Sequence, residues 1–206
     1  MINLMYVVLM AMLALNVSTE VLNGFSIVEE SLSRTTANSA KENQVIYDDF
    51  SEQLKANPAK VKAWFDKAQT VRRMSDSLYN FADELKVAIV KEADGEDGDV
   101  KNIVGKEDLE AANQVMLAPG RGRGRKLYDA INSFRERILA MVTDPTQKAI
   151  ISSNLSTDVP RNIQTMGKNW QEYMFEDMPV AAAVTLLSKL QSDAYLGYAY
   201  TAYNYS

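Results

Sequence analysis

The chain has 206 residues, with 22 Lys and Arg against 27 Asp and Glu, a net charge of −5. An acidic balance of that size argues against a nucleic-acid-binding module, whose affinity rests on neutralising phosphates. The sequence holds no Cys and no His, which excludes disulfides, iron–sulfur clusters, thiolate zinc sites and a Ser-His-Asp triad. Its 9 Gly and 5 Pro make a turn-poor chain, and an apolar fraction of 47% fits a protein with a packed core.

Met1 to Val17 reads MINLMYVVLMAMLALNV, and no charge occurs before Glu20. At 1.5 Å per residue such a helix covers roughly 25 Å, slightly less than a hydrocarbon core of about 30 Å. The segment reads best as a membrane span over residues 1–18, with a signal sequence and a buried core helix as the other readings. A basic leader and a clean cleavage site are missing, which weakens the signal-sequence reading. Asn3 and Tyr6 share one helix face, and Ala11, Ala14 and Ser18 form a stripe of small residues. In lipid, polar groups turn toward another helix, and small residues let backbones approach.

Beyond the span the apolar positions continue at spacings of three and four through Val17, Val21, Phe25, Val28 and Leu32, with Glu20, Glu29 and Glu30 on the other side. That pattern predicts one helix running unbroken from the span to about Ser33. Val17, Val21 and Val28 are candidates for self-association, or the packing face of their own bundle. The polar stretch Arg34–Asn43 predicts a loop, and Val45–Lys55 a short helix.

Asn57-Pro58 marks the next helix start. Its stripe is Val61, Trp64, Phe65, Ala68, Val71, Ser75, Leu78, Ala82, Leu85 and Ile89, with Arg72, Arg73 and Asp76 toward solvent. The acidic stretch EADGEDG over residues 92–98 ends it. A short helix is expected over Lys106–Val115, then a loop from Ala118 to Gly124. Arg125–Val142 predicts a helix with Leu127, Ile131, Phe134, Ile138 and Met141 inward. Asp144-Pro145 caps another, to about Leu155. A linker with Pro160 and Gly167 follows, and Pro179 opens the last helix, with Val180, Val184, Leu187 and Leu190 as its apolar face. No alternation typical of strands occurs. The expected architecture is all-α: a membrane helix feeding a bundle of four to six helices.

Motif-like stretches carry little chemistry. Asp94, Glu96, Asp97 and Asp99 evoke a calcium loop, but aligning either Gly95 or Gly98 to the invariant glycine leaves no acid at the first position. The stretch reads as a solvated acidic turn. The run Gly120–Lys126 (GRGRGRK) lacks the Gly-Lys-Ser/Thr of a phosphate loop and reads as a flexible basic loop, with anionic-lipid contact as the lesser alternative. No paired carboxylates stand out, so an enzyme is not expected, nor any cofactor or metal. The tyrosines at 195, 198, 200, 203 and 205 form an unusual end.

The segments MINLMYVVLMAMLALNVSTEVLNGF, NPAKVKAWFDKA, LKVAIVKEADGEDGDV, KEDLEAANQVML and FEDMPVAAAVTLLSKLQSD, in that order to Asp193, resemble the N-terminal part of the GldM/PorM family. This is the inner-membrane motor protein of gliding motility and type IX secretion in Bacteroidetes. The resemblance implies a single-pass inner-membrane helix (residues 1–18), a helical periplasmic domain (19–193) and a Tyr-rich tail (194–206). Proton-motive force is the implied energy source. Two copies of the span would sit in a ring of GldL/PorL-like partners, which supply the intramembrane carboxylate, and further periplasmic secretion components would follow. A passive anchored scaffold or stalk is the alternative. The Asn and Tyr of the family's opening motif carry over to Asn3 and Tyr6. With Met10 and Ala14 they are the candidate contacts to the partner in the membrane. In the family a short basic segment precedes the span, and its role falls on no residue of this sequence.

Overall fold

A computed structural model describes residues 4–8 and 17–203, with side chains up to residue 196. Residues 4–8 are helical. Eight helices follow: α1 (Thr19–Ala56), α2 (Pro58–Asp94), α3 (Glu110–Met116), α4 (Gly124–Met141), α5 (Pro145–Asn154), α6 (Arg161–Gln164), α7 (Trp170–Phe175) and α8 (Val180–Tyr203). Among the described residues there is no strand, as the all-α reading expects.

The first helix differs from expectation at both ends. Val17 and Ser18 are not helical. Ser18 is extended (φ −65°, ψ 146°), and its hydroxyl accepts the Val21 N–H at 3.3 Å. That bond satisfies one of the donors a helix start leaves orphaned, so α1 has its own beginning rather than continuing from upstream. The expected loop at Arg34–Asn43 is absent as well, and α1 is a single rod of 38 residues. The polar residues that suggested a loop include two that face another helix instead of water. Buried Thr36 donates to the Leu32 carbonyl at 2.8 Å, and buried Asn43 donates across to the Tyr195 carbonyl at 3.1 Å.

Asn57 alone links α1 to α2. Its N–H closes α1 on the Gln53 carbonyl, and its own carbonyl accepts from Lys60 and Val61. The expected cap position is right, although the Asn57 side chain makes no capping bond. Along α2 the predicted stripe is buried from Ala68 to Ile89, while Trp64 at its start stays 40% exposed. Gly95, at φ +87°, ends the helix in a conformation that favours glycine. The acidic turn beyond it is built rather than merely solvated: the Asp94 carboxylate accepts the N–H groups of Val104 (2.9 Å) and Gly105 (2.7 Å).

α3 starts later than predicted because the Asp108 carboxylate takes the Glu110 and Ala111 N–H groups. The glycine-arginine run is a loop up to Arg123, but two of its glycines are closely packed. A Cβ on Gly122 would lie 2.6 Å from the Met116 carbonyl oxygen, and one on Gly124 would lie 2.7 Å from Gln171 Cβ. Only glycine admits so close an approach of the α3 end and α7. α4 buries Leu127, Ile131, Phe134 and Ile138, and Asp144 caps α5 through the Gln147 N–H at 2.7 Å. The expected linker carries two short helices. α7 opens with a capping box of Asn169 and Glu172 and sets Trp170 edge-on to Phe175, centroids 6.1 Å apart.

α8 is the central helix. Between Val180 and Ala194 most positions are buried, including Ser188, Gln191, Ser192 and Asp193. It continues to Tyr203, so Tyr195 belongs to the helix. Cross-contacts fix the directions. Phe25 meets Thr185 and Asn43 meets Tyr195, so α1 and α8 run parallel. Lys86 meets Gln191 and Ser75 meets Ala194, so α2 runs opposite. The main apolar core lies on the other side of α2 and α8, where Leu85, Ile89, Met116, Leu127, Ile138, Phe175 and Leu187 meet.

Candidate functional site: a polar junction of three helices

Where α1, α2 and α8 meet, the packing is polar in two tiers. In the lower tier Lys86 on α2, 4% exposed, directs its ammonium at Gln191 Oε1 of α8 (3.1 Å) and at Glu29 Oε1 of α1 (3.5 Å). Ser188 donates to the same Glu29 oxygen at 3.0 Å. The Gln191 amide donates to the Tyr79 carbonyl and to Asp83. The Thr185 hydroxyl lies 2.7 Å from the Ala181 carbonyl of its own helix and 3.2 Å from the Phe25 carbonyl, which requires close backbone approach of α1 and α8. The small residues Ala182, Thr185, Ser188 and Ser192 in this stretch of α8 permit it. A buried ammonium is tolerable only when acceptors surround it, and here each helix brings one polar partner.

In the upper tier Tyr195 is central. Its ring lies 5.2 Å from that of Tyr79, its hydroxyl donates to Asp76 at 3.3 Å, and its carbonyl accepts from Asn43. Ser75 donates to the neighbouring Ala194 carbonyl at 3.1 Å. Arg72 lies on the Tyr47 ring (4.5 Å) and donates to Gln44 at 3.0 Å, so it clasps α1 to α2. Asn43 Oδ1 is buried without a partner and borders a small cavity lined by Gln44, Arg72, Ser75, Asp76 and Tyr195.

Burial, then the neighbouring Asp76 carboxylate, pushes the Tyr195 phenol up to about 12. Tyr79 is also raised, by burial and then by Asp83. Both folded values lie above the unfolded value of 10.0. The ionised phenolates are the disfavoured forms, so stability is lost as pH rises from 10 through about 12. A spectrophotometric titration is expected to show late tyrosines among the 10 of the chain. Tyr195→Phe is expected to remove the latest, and an unchanged titration curve would contradict the geometry. Asp193, buried beside Lys189, is raised by burial, which the lysine only partly offsets. Its charge therefore costs stability above its folded pKa, and that cost disappears as pH falls below 3.8.

Beside the lower tier a cleft of about 830 Å³ opens between α1, α2 and the 98–106 segment, with Glu29, Asp83 and Lys86 on its wall. Among the described residues no group of three or more acidic side chains is placed to hold a metal ion.

The sequence-predicted residues are scattered with respect to this junction. Asn3, Met10 and Ala14 lie outside the described residues, as does most of the expected span. Among the described residues no helix is long and apolar enough to cross a membrane. Tyr6 is helical and 64% exposed. Val17 precedes α1, while Val21 and Val28 are about half exposed on its outer face. Glu29, expected toward solvent, points inward, whereas Asp76 keeps 45% side-chain exposure while it accepts from the Tyr195 hydroxyl. Sequence reasoning missed Lys86, Ser188 and Gln191. The available signal was a lysine directly after Leu85, inside the buried stripe of α2.

The description of the GldM N-terminal domain family matches residues 20–196. The chain belongs to that family. No curated protein matches it significantly. The matched residues begin one position into α1 and include every side chain of both tiers. Membership of the GldM family makes the chain a component of the gliding-motility and type IX secretion machinery, which is membrane-associated. The resemblance noted in the sequence therefore holds, and it reaches Tyr195, inside what the sequence reading set apart as a tail.

Proposed function

We propose that the chain is the membrane-proximal part of a motor driven by the proton-motive force. It passes motion from the inner membrane to the periplasm for type IX secretion and gliding. Two copies would contribute their membrane helices to a ring of GldL/PorL-like partners, with Asn3, Tyr6, Met10 and Ala14 facing that ring. One observation carries the reading: the helix that follows the apolar N-terminal segment is an unbroken rod of 38 residues, about 57 Å at the helical rise, pinned laterally to two other helices. A rod of that kind transmits displacement, where a Gly/Ser linker dissipates it. The apolar segment carries no Asp, Glu, Lys, Arg or His, so the proton-carrying carboxylate must come from a partner. Moving one proton across 100 mV supplies about 2.3 kcal/mol.

The outer face of α1 supports pairing of two copies. Val21, Gly24, Val28, Ser31 and Thr35 recur at alternating spacings of three and four, and all are exposed. That is the spacing of a helix–helix seam, made of residues small enough for close approach.

The test is a replacement of residues 1–17 by an unrelated membrane span in cells. Normal protein levels with loss of secretion and gliding are expected. Retained secretion and gliding would support instead a passive anchored stalk. Asn3→Leu and Tyr6→Leu separately test the assignment of the partner-facing residues.

A further inference from the structure

We infer that α1 is a releasable strut, which leaves the rest of the molecule as a unit without disturbing the core. The inference holds whether or not the chain belongs to a motor. Three observations carry it. First, among the described residues the main core is assembled from α2 to α8 alone, and neither its buried members nor the half-buried side chains packed on them come from α1. The buried apolar residues of α1, Leu22 and Phe50, lie apart from that core.

Second, much of the hold on α1 is polar, from Glu29 to Lys86 and Ser188, Asn43 to the Tyr195 carbonyl and Gln44 to Arg72, beside the apolar contacts of Leu22, Phe50 and the Tyr47 ring, which lies 5.3 Å from that of Phe65. When such a contact opens, water replaces the lost partners, so the face left on α2 and α8 is one that solvent can satisfy. Opening the apolar core has no such compensation. Third, the connection to α2 is the single residue Asn57, at φ −145° and ψ 73°, where rotation swings α1 as a whole. The fold thus places a lateral contact rich in polar groups, and apart from the main core, on the helix that leads back to the N-terminal segment. Regions with few apolar contacts and polar interfaces open below the global unfolding free energy.

Native-state hydrogen exchange on the full chain in detergent tests this directly. Amides in the middle of α1, from Leu32 to Phe50, are expected to exchange together, with protection about 100-fold below that of Leu85, Ile89 and Leu187 and with a shallow denaturant dependence. Glu29→Ala is expected to speed α1 exchange about tenfold further while the α2 core amides keep their rates. Equal protection and equal denaturant slope in α1 and α2 would overturn the inference. So would a Glu29→Ala protein in which the core amides accelerate as much as those of α1. Because the readout is exchange and not secretion, failure of the motor reading leaves this result intact.

Discussion

Leu85→Ala is expected to lower the unfolding free energy by about 3–4 kcal/mol, the range for truncating a buried leucine that its neighbours cannot close around. Leu85 is fully buried in the core cluster, on a face of α2 turned away from α1. The lost methyl groups leave a cavity bordered by helices whose own positions are fixed by other contacts. Asp94 ties the end of α2 to Val104 and Gly105, and the Val180 N–H bonds the Asp108 carbonyl, which ties the start of α8 to the same segment. Little relaxation is open to such a frame, so the cavity cost is not recovered by collapse. Urea unfolding followed by far-ultraviolet dichroism checks this. A loss below about 1 kcal/mol would mean that the core repacks around the gap and that α2 is not its rigid centre.

The contrast with α1 explains what was legible in the sequence. Apolar periodicity read α2, α4 and the start of α8 correctly, because in these helices burial and apolarity coincide: Val71, Leu78, Leu85 and Ile89 on α2, Leu127 to Ile138 on α4, Val180 to Leu187 on α8. Caps read well where a side chain acts alone, as Asp144 does for α5. The same rule failed for α1, whose inward face includes Glu29, Thr36 and Asn43. A polar residue facing solvent and one facing a polar partner are the same letter in the sequence. The partners Lys86, Ser188 and Tyr195 are 57 to 159 residues away, and periodicity carries no information at that range. Thr36 and Asn43 therefore read as loop, and the junction stayed invisible although both tiers are made of ordinary helical residues. Glycine misled in the same way. Gly122 and Gly124 suggest flexibility, but they are there because α3 and α7 leave no room for a Cβ.

Family membership came through because it rests on the order of whole segments, which does not require knowing which faces meet. The expected partner-contact positions precede α1, whereas the lateral hold on α1 is exerted from α2 and α8.

Glu29→Leu is expected to cost about 2–3 kcal/mol, and adding Lys86→Met is expected to restore most of it. The single substitution leaves a lysine ammonium, 6% exposed at its side chain, with Gln191 as its remaining acceptor. Breaking a fully buried pair typically costs about 3–5 kcal/mol, because the surviving charge is uncompensated. Glu29 keeps 22% side-chain exposure, so water enters and the cost is reduced. The double variant removes both charges and puts an unbranched apolar side chain in the space of the lysine stem, an exchange that is often neutral when the geometry is kept. The size of the recovery separates two roles. If Glu29→Leu/Lys86→Met regains stability and still secretes, the pair serves only to hold α1, and an apolar contact does so equally well. If it regains stability and loses secretion, the polarity of the contact is itself required, as expected where α1 must part from α2 and α8 and dock again during each working cycle. A single variant as stable as the parent would show that the upper tier holds α1 without the ion pair.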